Sequence, residues 1–410
     1  MTCSGQPTTS LKPQPVARGV ILPERPDAVG AAVNRLAWPI ILENLFQTAL
    51  STVSMLMVAQ LGPAAIAGIG TGAQYQWIVQ AAFSAVTTGA TVLVARFTGA
   101  RLREDANTVV KQSLLVGAAL SILFGVLGLL VADWLIVMMG AEPDVVQAGG
   151  VYLRITLATS FFMVTMFTIS GAMRGAGDSR TPMIVTGAIN LVNVAASYVL
   201  IFGKLGLPAL GIAGAAWAVT LSRAVGAGAL LWFLTRPDAA VSIRGRQGWT
   251  PDWQVIRRMM RLGLPSMGEQ LLMSAGMLAY AIVSLSLGTI VYAAQRVTFQ
   301  IMSLTFMPGF GYGLAATAIV GQYLGAGKPD LSERANAHAT KVAVVLMTSV
   351  GLITAALGRP LMRVFTNDLE MIRIGAQAMW VIALAWPAMA VGQVVAGSLR
   401  GAGDTRFPMY

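Results

Sequence analysis

The stretch Arg174-Gly175-Ala176-Gly177-Asp178 occurs twice in this chain. Its second copy is Arg400-Gly401-Ala402-Gly403-Asp404, 226 positions further on. The same displacement relates other identical residues, among them the pairs Pro39 and Pro265, Glu43 and Glu269, and Gln74 and Gln300. The chain is therefore a tandem duplication of one unit, and the second unit ends soon after its motif is complete.

The composition places both units in a membrane. Hydrophobic residues make up 56% of the 410 residues and charged residues only 11%, and the mean hydropathy is +0.69. Such a chain lacks the polar residues that would cover a soluble globule of this size. The single cysteine, Cys3, can form no internal disulfide. We therefore expect an integral membrane protein.

Uncharged runs long enough to cross a bilayer occur ten times. A hydrocarbon core about 30 Å thick requires roughly 20 apolar residues per helix. The predicted spans are 36–59, 73–95, 112–132, 148–172, 183–202, 209–235, 262–287, 297–320, 342–358 and 375–399. Six belong to the first unit and four to the second, so the second unit is predicted to be C-terminally incomplete. The sequence predicts an all-α bundle of two parallel-repeat lobes around a central cavity.

The basic residues predict domain organisation and orientation. Residues 1–34 are rich in proline and predict a flexible cytosolic tail. The N-lobe is predicted at 35–235, a basic cytoplasmic inter-lobe loop at 236–260, and the C-lobe at 261–410. Of the 28 Lys and Arg residues, 21 lie in segments that are inside if the N-terminus is cytoplasmic, which predicts that orientation in a plasma or inner membrane. The net charge of +11 then reflects topology and attraction to lipid head groups, and does not indicate nucleic-acid binding.

The repeated motif has the residues of a tight turn between helices. Its glycines can end one helix in a left-handed cap, and its aspartate can cap the next helix. Arg174 is expected to pair with Asp178 or to meet lipid head groups. The sequence thus favours a structural role for the eight motif residues Arg174, Gly175, Gly177, Asp178, Arg400, Gly401, Gly403 and Asp404.

Two acidic residues, Glu43 and Glu269, lie well inside predicted spans. Each follows a proline by four residues and an arginine by eight, which places the carboxylate about 12 Å from the helix start. An ionised carboxylate at that depth costs at least about 2.5 kcal/mol unless it binds a proton or an ion, or faces water. Pro39 and Pro265 free carbonyl oxygens of the preceding turn. We expect coupling to a proton or a sodium ion here, with Glu43 favoured; the alternative is that both carboxylates only form hydrogen bonds between lobes.

Amide and phenol side chains along the predicted spans are candidates for the wall of the substrate cavity. The candidate residues are Asn44, Gln47, Gln74, Asn190, Asn193, Gln270, Tyr280 and Gln300. Asn44, Gln47 and Gln270 could also supply oxygens to a sodium ion. The alternative is that these amides hold neighbouring helices together. Arg154, Arg223 and Arg296 are expected to extend towards helix ends or to find partners there. No cluster of side chains predicts a bound metal.

Four segments resemble the multidrug and toxic compound extrusion (MATE) transporters. They are RGAGDSRTPM from Arg174, the following helix with Asn190 and Asn193, the run IFGKLGLPALGIAGAA from Ile201 to Ala216, and SLRGAGDTRFPM from Ser398. The resemblance implies two six-helix lobes that expel organic cations in exchange for sodium ions or protons. One branch of the family has an aspartate where this chain has Ser54, and another has an acidic residue in the tenth helix, where 374–399 has none. Neither arrangement carries over, which leaves Glu43 and Glu269.

The sequence favours a secondary antiporter that exports organic cations or other small toxic molecules. It contains no GxxxxGK[ST] loop, so an ion gradient is the expected energy source and no cofactor is expected. The expected partners are cationic amphipathic molecules and membrane lipids, and the expected state is a monomer. One alternative is a lipid-linked saccharide flippase, which would have a more cationic cavity. Another is a non-transporting membrane protein; an enzyme is not expected, since no catalytic cluster stands out.

Overall fold

A computed structural model describes residues 23–140, 142–204, 206 and 208–409 of the chain. These residues form a helical bundle, as the sequence predicts, and no strand is assigned among them. The helices are α1 (Val29–Ala59), α2 (Pro63–Gly99), α3 (Arg103–Met138), α4 (Pro143–Ala158), α5 (Ser160–Gly175), α6 (Arg180–Phe202), α7 (Gly211–Leu234), α8 (Trp253–Ser286), α9 (Thr289–Gly325), α10 (Pro329–Ala356), α11 (Gly358–Arg363) and α12 (Leu369–Ala402). Short 3-10 helices occupy Pro26–Ala28 and Phe407–Met409.

Seven of these helices are each long and apolar enough to cross a membrane, and two bent pairs raise that number to nine. The predicted span 262–287 coincides with the C-terminal part of α8 up to Ser286. The predicted span 148–172 is broken, because α4 and α5 meet at 52° around Thr159. The Thr159 hydroxyl donates to the Ile155 carbonyl at 2.7 Å, a side-chain bond of the kind that bends helices. Nine of the ten predicted spans therefore have a counterpart of sufficient length and apolarity among the described residues, and α8 is the exception. The kink between α4 and α5 is not revealed by periodicity.

Two predicted boundaries need correction. Helix α1 begins at Val29, after a 3-10 turn that starts at Pro26, so the last part of the predicted tail 1–34 is helical. Val29 and Val33 are almost fully buried, and this burial stabilises the extra helical turns. The rest of the predicted tail, 1–22, lies outside the described residues. Helix α8 likewise begins at Trp253, inside the predicted loop 236–260.

The first helix of each unit begins in the core of the other lobe. In α1, Val33, Leu36 and Ile40 pack with residues of α9, α10 and α12 in one buried cluster. In α8, Met259 is fully buried in the cluster formed by α2, α3 and α5–α7. The two lobes are contiguous in sequence, but their cores exchange the starts of these two helices.

Small residues allow α2 and α9 to cross in close contact at the end of the molecule where both motifs lie, which we call the elbow end. A Cβ atom on Gly99 would collide with the Gln322 carbonyl, and one on Gly325 would collide with the Arg96 carbonyl. These two contacts are related by the repeat displacement. They show the pseudo-twofold relation between the units directly.

The connection between the lobes is fastened to α3 rather than free. The ammonium of Lys111, which is 3% exposed, donates to the carbonyls of Arg244, Gly245 and Gln247 at 2.9, 3.3 and 2.7 Å. Gln112 bonds to the same connection at three further points. A buried ammonium requires such acceptors, so this segment has a fixed path across the end of the N-lobe.

Candidate functional site

Each copy of the motif forms the same turn. We call residues 174–178 the N-elbow and residues 400–404 the C-elbow. Gly177 and Gly403 have φ angles of +92° and +86°, the left-handed conformation that ends a helix. The Asp178 carboxylate accepts from the backbone N–H groups of Arg180 and Thr181 at 3.1 and 3.0 Å. Asp404 makes the equivalent pair of bonds in the C-elbow, so the predicted caps are present in both copies.

Gly175 and Gly401 allow close helix packing, whereas Gly177 and Gly403 end the helices. A Cβ atom on Gly175 would press against the Thr91 carbonyl of α2, and one on Gly401 against the Thr317 carbonyl of α9. Both contacts involve backbone, which cannot rotate away. Each elbow is thus packed tightly against the second helix of its own lobe.

The arginine of each elbow pairs with the glutamate near the start of its unit. Arg174 donates to Glu43 at 2.9 Å, and Arg400 donates to Glu269 at 2.6 Å. The expected pairing of Arg174 with Asp178 or with lipid is wrong, because Asp178 is occupied as a cap. In both units the partners are 131 residues apart. In each unit, the repeated glutamate inside the first span and the repeated arginine of the elbow therefore form one ion pair.

The Glu43 pair is the more enclosed of the two. The Glu43 and Arg174 side chains are 6% and 12% exposed, against 17% and 21% for Glu269 and Arg400. Glu43 also accepts from the Thr186 hydroxyl of α6 at 3.2 Å. Its carboxylate thus has a cationic and a neutral donor, as a buried carboxylate requires.

Glu43 borders a cavity of about 480 Å³. All of its lining residues belong to α1, α2 and α4–α7, so this cavity lies within the N-lobe. It is therefore a different cavity from the one predicted between the lobes. Its polar and charged lining comprises Glu43, Gln47, Ser51, Ser54, Gln76, Gln80, Tyr152, Ser170, Thr186, Asn190, Asn193, Ser197, Ser222 and Arg223. Polar groups on a mostly apolar wall are typical of a site for small organic molecules.

Three of the predicted cavity residues, Gln47, Asn190 and Asn193, do line this cavity. Asn193 joins α6 to α7, because its amide donates to the Ser222 hydroxyl at 3.1 Å. The amide nitrogen of Asn190 is buried and has no hydrogen-bond partner among the described residues. Asn193 therefore serves as the predicted link between helices, whereas Asn190 keeps a free donor.

The other predicted cavity residues lie elsewhere. Asn44 donates to the Ile40 carbonyl of its own helix at 2.8 Å and does not line the cavity. Gln74 is exposed: the cavity face of α2 includes Ala73 and Trp77, and the next residue after Ala73 points about 100° away. The C-lobe candidates Gln270, Tyr280 and Gln300 also lie outside this cavity.

The sequence did not place Arg223 in the cavity wall. It lies in the middle of α7 and lines the cavity, as Tyr152 of α4 does. The expectation that it extends to a helix end is wrong. Ser222, its neighbour, is hydrogen-bonded to α6, which turns this part of α7 towards the cavity. An arginine near the centre of an apolar run was the available signal.

Each elbow is also bound by the opposite lobe. The Gln322 side chain of α9 donates to the Gly175 carbonyl at 2.6 Å. Arg96 of α2 donates to the Ala402 carbonyl. Gln322 and Arg96 occupy equivalent positions in the two units. The elbow end is therefore closed by two reciprocal side-chain bonds in addition to the backbone contact of α2 with α9.

Comparison with known proteins gives consistent matches over most of the chain. The family model described as MatE matches residues 39–199 and 265–410. A probable multidrug resistance protein NorM of Thermotoga maritima is 32% identical over 92% of this chain and 80% of its own length. A protein of the same description from Rhodopseudomonas palustris is 30% identical over 96% of this chain and 85% of its own.

Solved structures match the fold as well. A structure described as the outward-facing conformation of a multidrug resistance MATE family transporter of the MOP superfamily superimposes with a TM-score of 0.86. The match is 25% identical and covers 93% of this chain and 84% of the other. The helical architecture and the two units are therefore shared with transporters of that description.

Proposed function

Since the chain belongs to the MatE family, and is thus an integral membrane multidrug transporter rather than an enzyme, we propose that it works as a secondary antiporter. It exports amphipathic organic molecules, cations among them, in exchange for protons or sodium ions. Its N-terminus faces the cytoplasm of a plasma or inner membrane. The position of Glu43 is the observation that carries this proposal.

Glu43 combines the two properties that a coupling residue needs. It borders the cavity, and its carboxylate is held by Arg174 and Thr186. A proton or a sodium ion that reaches the carboxylate competes with Arg174 for the same oxygens. Ion arrival thus weakens the ion pair, and ion departure restores it.

The ion pair is linked to the contact between the lobes. Arg174 is followed directly by Gly175, whose carbonyl is the acceptor for Gln322 of the opposite lobe. A change in the Arg174 position therefore acts on a bond that keeps the elbow end closed. Opening of that end would expose the cavity to the other side of the membrane, as alternating access requires.

The same cavity suits the proposed substrates. Trp77 and Phe167 supply aromatic faces, which attract organic cations, and Met163 and Met166 supply flexible apolar surface. Flexible methionines and aromatic rings fit molecules of many shapes. The flippase alternative predicts a strongly cationic cavity for a pyrophosphate group, whereas the lining contains one arginine; we therefore favour export of organic molecules.

Flux measurements in proteoliposomes test the proposal. A tetramethylrhodamine methyl ester gradient should drive proton or sodium movement through the wild-type protein, with each ion monitored by its own fluorescent indicator. Glu43→Gln keeps the shape of the side chain but cannot release a proton, so coupled ion movement should fall to the level of protein-free vesicles. Dye-dependent ion flux that persists in this variant would remove Glu43 from the coupling mechanism.

A further inference from the structure

Arg223 is a cation deep in the membrane-spanning part of the N-lobe. It lies twelve residues after the start of α7 at Gly211 and eleven before its end at Leu234. At about 1.5 Å per residue, either end is roughly 16–18 Å away. A guanidinium at that depth is costly unless it meets water or an anion, and Arg223 lines the cavity.

No described acidic side chain neutralises this cation. The other charged residue of the cavity wall is Glu43, and its carboxylate is paired with Arg174. Arg223 takes part in no ion pair or hydrogen bond with a described residue, and Tyr152 on the same wall is an uncharged phenol. Taken together, Glu43, Arg174 and Arg223 carry a net charge of +1.

A second donor on the same wall is also unsatisfied. Asn190 lies on α6, three residues before Asn193, and Asn193 is bonded to the residue that precedes Arg223. The Asn190 amide nitrogen has no acceptor among the described residues. A buried donor without an acceptor destabilises the protein until some oxygen accepts its hydrogen. Arg223 and Asn190 therefore both line a cavity whose own carboxylate is already paired.

We propose that Arg223, assisted by Asn190, binds a carboxylate group of the transported molecule. The planar guanidinium offers two parallel N–H groups, which match the two oxygens of a carboxylate. The aromatic faces at Trp77 and Phe167 lie in the same cavity and remain available for a cationic group. The preferred substrates are then amphipathic zwitterions, a narrower class than organic cations. This inference rests on the proposed export function for its physiological meaning, but the binding itself needs no ion gradient.

A matched pair of dyes separates the carboxylate from the rest of the molecule. Tetramethylrhodamine carries a free carboxylate, and its methyl ester has the same cationic ring system without that charge. Binding to purified protein in detergent is followed by fluorescence anisotropy. The wild-type protein should bind the acid at least about tenfold more tightly than the ester, because a charge-assisted bidentate bond is lost in the ester. Equal affinities would overturn the proposal.

Substitution of Arg223 provides the direct test. Arg223→Gln should weaken binding of the acid at least about tenfold and binding of the ester less than about threefold. Arg223→Lys, which keeps the charge but cannot form the bidentate bond, should retain only part of the preference. Equal losses for both dyes in Arg223→Gln would assign Arg223 a general structural role and contradict the proposal. If this variant does not fold, displacement of the acid from the wild-type protein decides. Benzoate should displace it and chloride at equal concentration should not; equal displacement would point to a site for inorganic anions and overturn the proposal.

Transport measurements distinguish this inference from the proposed function. Acid-selective binding without ion-driven movement of either dye would support the carboxylate site and contradict the antiport mechanism. Ion-driven transport in which Arg223→Gln affects both dyes equally would contradict the carboxylate site and leave the antiport mechanism intact.

Discussion

The two units of the chain contain the same ion pair in different surroundings. In the N-lobe, Glu43 and Arg174 are enclosed, Thr186 adds a donor, and a polar cavity begins beside the carboxylate. In the C-lobe, Glu269 and Arg400 form the same bond in a more exposed position. The shared part, an elbow held to the first helix of its lobe, is architectural. The cavity of the N-lobe, with its enclosed carboxylate, is where we place ion coupling.

The largest contrast is expected in stability. Arg174→Met leaves the Glu43 carboxylate buried without its cation, which costs about 3–5 kcal/mol, because burial excludes the water that would replace the partner. Arg400→Met should cost clearly less, since water reaches Glu269. Thermal unfolding in detergent measures the difference, and Arg180→Met, an exposed arginine of the same region, is the control. Equal losses in the two elbow variants would show that enclosure does not distinguish the pairs.

The next largest difference is expected between the transport rates of variants at Glu43 and at Glu269. Glu43→Gln is expected to lower ion-coupled export by about tenfold or more, whereas Glu269→Gln, at the equivalent position, should retain activity within about threefold. The physical reason is that Glu43 borders the cavity and Glu269 does not. Initial rates of dye export in proteoliposomes measure both variants. Comparable losses would place coupling in both lobes and end the asymmetry proposed above.

Thr186→Val removes a hydrogen bond that distinguishes the N-lobe ion pair from the C-lobe pair. The Thr186 hydroxyl donates to Glu43, whereas no described hydroxyl donates to Glu269. The variant removes a hydroxyl bond to a charged group, an effect on ion affinity of about threefold to tenfold. If the coupling ion is a proton, the carboxylate is protonated at a lower proton concentration, because its ionised form has lost a donor. If it is sodium, a ligand oxygen is lost and more sodium is required. Titration of transport with each ion gives the sign.

Thr156→Val is the matched control for that experiment. Thr156 is equally buried, but its hydroxyl donates only to carbonyls of its own helix. Its replacement should leave the ion dependence of transport unchanged. A shift of the same size in both variants would show that the effect of Thr186→Val is not specific to Glu43.

The smallest effect is expected at the reciprocal bonds between the lobes. Gln322→Ala removes one neutral hydrogen bond to the N-elbow, worth about 1 kcal/mol, and should speed amide hydrogen exchange at residues 174–178 by about fivefold. Arg96→Ala should act on residues 400–404 in the same way. Hydrogen–deuterium exchange with mass spectrometry resolves the two elbows. Exchange that changes only in the lobe that carries the substitution would contradict the reciprocal contact.

The elbows show what repeat analysis can and cannot predict. Turn chemistry is local, so Gly177 and Asp178 could be assigned from the sequence, and the structure confirms the caps in both copies. The partner of Arg174 lies 131 residues away, and a local argument offered Asp178 instead. A search for two repeat signals at one constant separation would have found the Glu43 pair.

The sequence by itself determined that this protein lies in a membrane, that its fold is all-helical and that it consists of two repeated units. Hydropathy, helix length and the displacement of 226 residues are properties of the chain, because they depend on composition and on spacing along one direction. Only the tertiary structure decided that α1 and α8 begin in each other's lobes and that Gln74 faces away from the cavity whereas Gln76 lines it. It also decided that Arg223 has no acidic partner among the described residues. These depend on how helices rotate and cross, and rotation is set by packing between segments that are distant in the sequence.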